Sequence, residues 1–286
     1  MSLISGFSVL AEVSEWWVEE GSNPYEETAD SPILRSFPGG LTVDWQRKAA
    51  ISRGWAALNG SLTVQNRAKI RRNAENMALE RLISSVGLIR VDGVTRLSDI
   101  IDNDFPLRSS IISLIKKTAR VIHEKVYGEG DILEVTLEFN LAGKAGLAGT
   151  FFPEYLMTLP SPSGTNEAAP DGAITGLIID ASNLGVEGGI SPNVVSEDGR
   201  KIYCLKRNID KRMLILEGFV DYSPSIGYSS AEVSRAGDFP LTVAAKSKLK
   251  SPYNCDIVLS REDADRILEA DSASNFLRDL KVVILL

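Results

Sequence analysis

ISRGWAALNG, residues 51–60, followed by VQNRAKIRRNAENMALERLISSV, residues 64–86, is the stretch whose reading decides the fold. The first segment is short and rich in apolar residues, and it closes on Asn59-Gly60. That pattern predicts a buried strand leaving through a turn. In the second segment Ile70, Ala74, Met77, Ala78, Leu82 and Val86 recur at steps of three and four. Arg67, Arg71, Arg72, Glu75 and Arg81 fall between them. The spacing predicts an amphipathic helix with one apolar stripe and a charged outer face. Gly87 or Gly93 is placed to end it.

Pro106 suits the first turn of a second helix over residues 105–119, with Leu107, Ile111, Ile112, Leu114 and Ile115 as its apolar positions. Lys116, Lys117 and Arg120 match the negative end of its dipole. The period then changes to two. Leu133, Val135, Leu137 and Phe139 alternate with Glu134, Thr136, Glu138 and Asn140, which predicts a half-buried antiparallel strand. Tyr127-Gly128-Glu129-Gly130-Asp131 reads as the turn joining it to a hairpin partner over 120–126. The expected unit is β-α-α-β-β, a small antiparallel sheet with two helices packed on one face, so the class is α+β.

The strand of residues 51–60, followed by Arg67-Ala68, Arg71, Ala74, Ala78 and Leu82, then Val91-Asp92, Thr95 and Asp99 and a late hairpin, resembles the LPP-twenty family of small outer-membrane lipoproteins. Relatives of that domain include the flagellar envelope protein FlgP and the amino-terminal domain of FlgT. The resemblance covers about a third of the chain and rests on a spacing of small and apolar residues. It implies a non-enzymatic role in the bacterial cell envelope, often linked to the flagellum, with envelope or flagellar proteins as partners and self-association as an option. It brings no catalytic residues with it. The chain departs from the family in having no lipobox cysteine near its start.

At 286 residues the chain is long enough for two domains. Its 44% hydrophobic and 24% charged residues are ordinary for a folded soluble protein. A net charge of −7 argues against a nucleic-acid partner. No run of eighteen apolar residues exists, so no transmembrane segment is expected. The opening MSLISGFSVLAEV reads either as the tail of a secretory signal peptide without its charged start or as an ordinary terminal strand. Export to the periplasm or outer membrane agrees with the family resemblance.

Residues 1–40 form the signal-like remnant and an extended lead-in, punctuated by Asn23-Pro24, Pro32 and Pro38-Gly39-Gly40. Within it Trp16 and Trp17 are the candidate interaction residues: a partner-docking patch, or a pair packed back on its own domain. Leu41, Val43 and Trp45 alternate with polar residues and open the first domain, residues 41–157, with a further strand. Gly143, Gly146 and Gly149 lack the Gly-Lys-Ser/Thr of a phosphate loop and read as a flexible strap carrying Phe151 and Phe152. Residues 158–172, rich in Pro, Ser and Gly, are the expected interdomain linker.

The second domain, residues 173–286, reads as mixed α+β. Residues 175–180 form an apolar strand ending in Asp180, either a site residue at a strand end or a cap for the next turn. Residues 193–203 read as a hairpin turning at Glu197-Asp198-Gly199. Lys206, Arg207, Lys211 and Arg212 form a basic cluster on an expected loop. Strands are expected over 241–245 and 256–259, and a helix from Ser260 to Leu268. The run Val282-Val283-Ile284-Leu285-Leu286 must be a central buried strand.

The search for chemistry finds no catalytic, cofactor-binding or metal-binding set. His123 is the sole histidine, placed on the hairpin, and Cys204 and Cys255 are the two cysteines, paired if exported or two separate thiols. Glu134 and Glu138 share a polar strand face and read as solvated. The expected function is a structural or interaction protein. The alternative is a cell-wall or carbohydrate-binding module, or a hydrolase, using loops at Asp180 and Asp198.

Overall fold

The computed structural model describes residues 33–57, 63–127, 132–156, 172–207, 209–224 and 234–286, with side chains omitted for 154–156. The first 32 residues, with Trp16 and Trp17, lie outside the described residues, as do 157–171, which hold all but the last residue of the expected linker.

The amino-terminal half is built on a five-stranded antiparallel sheet. Its strands are β1 (Leu34–Phe37), β2 (Leu41–Asp44), β3 (Ala49–Ala57), β4 (Arg120–Tyr127) and β5 (Ile132–Asn140), in the order β1-β2-β3-β5-β4. The long helix α1 (Val64–Ser85) crosses one face of it, with the Thr63 hydroxyl accepting from the Asn66 N–H at its start. A single 3-10 turn, Val86–Leu88, and the helices α2 (Leu97–Ile101) and α3 (Phe105–Thr118) follow. Asp104 caps α3 at the Leu107 N–H and Pro106 sits in its first turn.

The helix–sheet contact has a specific cause. A Cβ added to Gly54 on β3 would stand 2.2 Å from the Ala74 carbonyl oxygen and 2.3 Å from the Ala78 nitrogen. Glycine on the strand and alanines on the helix let two backbones meet where any larger pair would hold them apart. Ser52 secures the approach by donating to the Ala78 carbonyl at 2.8 Å. Ile70, Ala74 and Ala78 then bury Leu133, Val135 and Leu137 beneath the helix.

Three expectations for the amino-terminal half are corrected. The lead-in is not wholly irregular, because residues 34–37 form β1, the edge strand of this sheet. The glycine-rich stretch is no strap: α4 (Leu147–Leu156) occupies it, with Phe151 and Phe152 both buried. Gly146 and Gly149 stand where a Cβ would meet the carbonyls of Ala142 and Lys144 at 2.2 Å, so the glycines serve a tight helix entry. Glu138 is not solvated either. It is 3% exposed and held by Arg120 at 2.7 Å and Arg47 at 3.4 Å.

The carboxyl-terminal half carries two more sheets. One is wholly parallel, in the order β10-β6-β13-β9, formed by β6 (Gly176–Asp180), β9 (Asp221–Ser223), β10 (Pro240–Ala244) and β13 (Val282–Leu285). Strand β13 lies inside it, buried at every position, as its unbroken apolar run requires. The other sheet, β11-β12-β7-β8, combines the hairpin β7 (Val194–Ser196) and β8 (Lys201–Tyr203) with β11 (Ser247–Lys248) and β12 (Ile257–Leu259). Helix α6 (Arg261–Ser274) packs on β7 and β8, capped by Ser260 and closed by Asn275 in a left-handed conformation. Helix α5 (Lys211–Glu217) replaces the loop expected around the basic cluster, because Asp210 caps the Arg212 and Met213 N–H groups. The whole is α+β.

The described parts on either side of residues 157–171 share one apolar core. Val43, Trp45, Val91, Leu141 and Phe152 belong to the same buried cluster as Leu177, Val194, Phe219 and Tyr222. The contact includes main-chain bonds: the Gly143 N–H donates to the Ile215 carbonyl at 2.8 Å, Ile190 to Arg90 at 2.9 Å and Ser191 to Val91 at 2.7 Å.

Two outcomes follow from this packing. Leu82→Ala should cost about 2–5 kcal/mol in urea unfolding, since Leu82 is fully buried. A protease cut made within residues 157–171 should leave two fragments that elute together on size exclusion in native buffer and separate only in denaturant.

Candidate functional site

The junction of the two halves concentrates the polar chemistry of the described residues. Trp45 follows β2, and Lys48 stands in the next turn with a positive φ of 53°. The Trp45 ring is seated on Gly188, where a Cβ would meet its ring atoms at 2.4 Å. It also packs edge-on against Tyr222, centroids 5.9 Å apart. These two aromatic residues, with Lys48, Leu141, Phe152 and Phe219, line a small cleft.

Behind Lys48, which lines the cleft, two cations share one carboxylate. The Lys48 ammonium donates to Asp221 and to the Glu217 carbonyl. Arg235, its side chain only 6% exposed, donates to Asp221 at 2.7 Å. The same guanidinium reaches the carbonyls of Leu280 at 2.5 Å and Gly218 at 2.7 Å. Burial would push the Asp221 carboxyl up, but the charges and hydrogen bonds of Lys48 and Arg235 outweigh it and hold the group below its ordinary value. Burial also pulls the Lys48 ammonium down, and the neighbouring Arg235 charge adds to that against the opposing pull of Asp221.

A second node ties the halves together beside the first. Asp256, 3% exposed, accepts from the Gly93 N–H at 3.0 Å, the Asn193 N–H at 2.9 Å and the Asn193 side chain at 3.1 Å. Gly93 has no room for a side chain, since its Cβ would lie 2.7 Å from the Asp256 carboxylate. Burial raises the Asp256 carboxyl in spite of these donors. Nearby, Glu187 pairs with Arg90 and, at 3.2 Å, with Arg35. The Tyr222 hydroxyl donates to the Gly189 carbonyl at 2.9 Å and accepts from the Gly189 N–H at 3.0 Å.

The residues singled out in the sequence are scattered rather than brought together. Asp180 ends β6 and accepts from the Ser182 N–H at 3.0 Å, capping the next turn. Asp198 lies in the β7–β8 turn of the other sheet, bonded to Ser196 and paired with Arg261 at 3.2 Å. Cys204 and Cys255 are both buried and unbridged, and burial pushes the Cys255 thiol up to about 12. His123 is a core histidine on β4, 5% exposed. Of the basic cluster, Lys206 and Arg212 are exposed, while Arg207 bonds the Ile202 carbonyl.

Sequence reasoning missed Lys48, Asp221, Arg235 and Asp256, which are far apart in the chain and meet through non-local packing. Gly93 and the Gly188-Gly189 pair were the local signals, since each marks a close approach.

Among the described residues, the sheet of the amino-terminal half has one long edge, β4. A bulge between Val121 and His123 interrupts its register with β5, and the pairing is regular from His123 to Tyr127. The β3 edge that runs on beyond the end of β2 is closed by α1: Arg81 donates to the Arg53 carbonyl at 3.1 Å and Met77 sulfur accepts from the Trp55 N–H at 3.5 Å.

Residues 176–286 match a family model described as the second domain of Treponema pallidum Tp0624. The match begins at the first residue of β6 and takes in both sheets of the carboxyl-terminal half. None of the curated proteins matches the chain. Among the described residues no helix is long and apolar enough to cross a membrane.

The ionic nodes set the acid response. Asp221 is held below its unfolded value of 3.8, so its stabilisation is complete above that pH and is lost as pH falls through the lower folded value. Asp256 has the opposite sign: the fold holds its proton more tightly, so its unfavourable contribution shrinks as pH falls from neutral toward 3.8. Asp221→Asn should therefore destabilise by about 3–5 kcal/mol at pH 7, by stranding two buried cations, and should flatten the acid limb of a urea-midpoint-against-pH curve.

Proposed function

We propose that the protein is a non-enzymatic structural or interaction protein of the bacterial cell envelope, exported to the periplasm or outer-membrane side and associated with flagellar or other envelope proteins. One observation carries the non-enzymatic reading. Of the groups best suited to chemistry, Lys48, Asp221 and Arg235 are bound to one another and to main-chain carbonyls, and Asp256 accepts from Gly93 of one half and Asn193 of the other. Polar groups committed in this way orient segments of the chain rather than a substrate. The match to a domain of a Treponema pallidum protein agrees with a bacterial source.

The surface suited to a partner is the regular part of β4, where an added strand would extend the sheet by main-chain bonds. The bulge at its start and the charged Glu124 and Lys125 limit indiscriminate pairing. Neighbouring residues of a strand send their N–H groups to opposite sides. A proline at Glu124 or at Lys125, whichever N–H points outward, therefore spares the β4–β5 ladder and blocks the edge.

Sedimentation velocity over a wide concentration range should show association of the wild-type chain, and one of these two proline variants should abolish it while keeping its unfolding midpoint. A strictly monomeric protein that turns over a cell-wall glycan, and loses that activity in Asp180→Asn, would overturn the proposal.

A further inference from the structure

A pocket of about 260 Å³ lies between the end of α1, the 3-10 turn and the helices α2 and α3. Its origin is in the path of the chain. The turn Val86–Leu88 is drawn tightly against α2, since a Cβ on Gly87 would stand 3.2 Å from the Ser98 Cβ. Helices α1 and α3, by contrast, meet only over a short stretch. The space left between them is lined by aliphatic side chains. Val86, Ile101 and Ile111 form its floor, and all three belong to the large apolar core. Ile83, Leu88 and Ile112 form half-buried walls. The exposed residues Ser84, Asp102 and Arg108 stand at the rim, with Ser98 partly buried beside them.

The lining selects a class of ligand. No aromatic ring is among the lining residues, so a nucleobase would find nothing to stack on. A strongly polar molecule would give up its water to aliphatic walls without replacement bonds. An alkyl chain suits such walls, because its burial removes apolar surface from water. The rim selects the head group. The Arg108 guanidinium pairs with the Asp102 carboxylate at 3.3 Å, so the rim carries one charge of each sign. Asp99 and Asp104, close by in the chain, accept from the Arg96 N–H at 2.7 Å and the Leu107 N–H at 2.9 Å as helix caps. An anionic head drawn to Arg108 is opposed by Asp102, and a cationic head drawn to Asp102 is opposed by Arg108. The pair does set donors and an acceptor side by side, which suits an uncharged hydroxyl or amide.

Size sets the length of the chain. At about 30 Å³ for each water-sized group, the pocket takes roughly eight or nine heavy atoms. We propose that the pocket binds a small uncharged amphiphile, with an alkyl chain of about eight carbons against Val86, Ile101 and Ile111 and its polar head at Asp102 and Arg108. The pocket takes no residue from β4, so the site stands or falls apart from the strand-accepting edge.

The test uses the full chain with carbon-13 in its isoleucine methyl groups, titrated with 1-octanol and followed by NMR. Saturable shifts are expected at Ile83, Ile101, Ile111 and Ile112, and none at Ile178 and Ile284 of the parallel sheet. Octanoate and octylammonium at neutral pH should each bind several-fold more weakly than octanol. Two substitutions fill the pocket from different sides: Ser84→Trp from the exposed rim and Ser98→Leu from α2. Each should weaken octanol binding several-fold, with the unfolding midpoint recorded to show that the fold persists. Shifts that do not saturate, shifts spread evenly over the isoleucines of both halves, a charged amphiphile binding as tightly as octanol, or undiminished binding in the filled variants would each overturn the assignment.

Discussion

Trp45 is seated on a glycine, and the join between the two halves follows from that contact. An indole with a neighbour's Cβ 2.4 Å from its ring cannot exist, so the position opposite must be Gly188. With that space open, the ring reaches Tyr222, whose hydroxyl is then fixed by both main-chain groups of Gly189. The apolar cluster runs unbroken from Leu41 and Val43 through Trp45 to Phe219, Tyr222 and Ile284. A shared core of this kind makes the stability of each half depend on surface supplied by the other, since apolar area removed from water is the main favourable term.

The ionic groups at the join answer a different requirement. Lys48, Asp221 and Arg235 are costly to desolvate, and an apolar trio of similar volume would stabilise as well or better. Their value is in direction. Arg235 addresses carbonyls at residues 217, 218 and 280, on two backbone segments that no apolar side chain could place so narrowly. Asp256 does the same for the loop at Gly93 and the strand start at Asn193. Together they set the register of two surfaces that hydrophobic contact alone would allow to slide.

How much of this was legible in the sequence depended on range. The helix over residues 64–85, the hairpin of β4 and β5 and the central burial of β13 are written in local periodicity, and the structure has them within a residue or two. Ser260 announced α6 and Pro106 announced α3, because a cap or a first-turn proline acts on its own next turn. Glycines misled at residues 143–149, where they permit close packing at a helix entry rather than a loose strap. Polar alternation misled at Glu138, because a carboxylate that meets two arginines can be buried. The parallel sheet was illegible for a plainer reason: β6, β9, β10 and β13 pair across long separations, and three-residue strands such as β9 carry no period of their own. The candidate site shares that property, since each of its charges is ordinary until tertiary packing brings the others to it.

The edges of the amino-terminal sheet complete the argument about surfaces. A five-stranded open sheet has two, and unpaired donors and acceptors along an edge invite any strand that passes. At one side β1 is four residues long, and beyond β2 the continuing edge of β3 is closed by Arg81 and Met77 from α1. Arg81 also stacks on the Trp55 ring at 3.9 Å, which fixes the guanidinium in place and keeps the Arg53 carbonyl occupied. At the other side β4 is eight residues long, with a bulge that removes its first part from regular pairing. Protection is therefore heavy at one side and partial at the other. Among the described residues the two sides of the sheet therefore differ in how their backbone groups are covered, and the proposed strand-accepting edge rests on that difference.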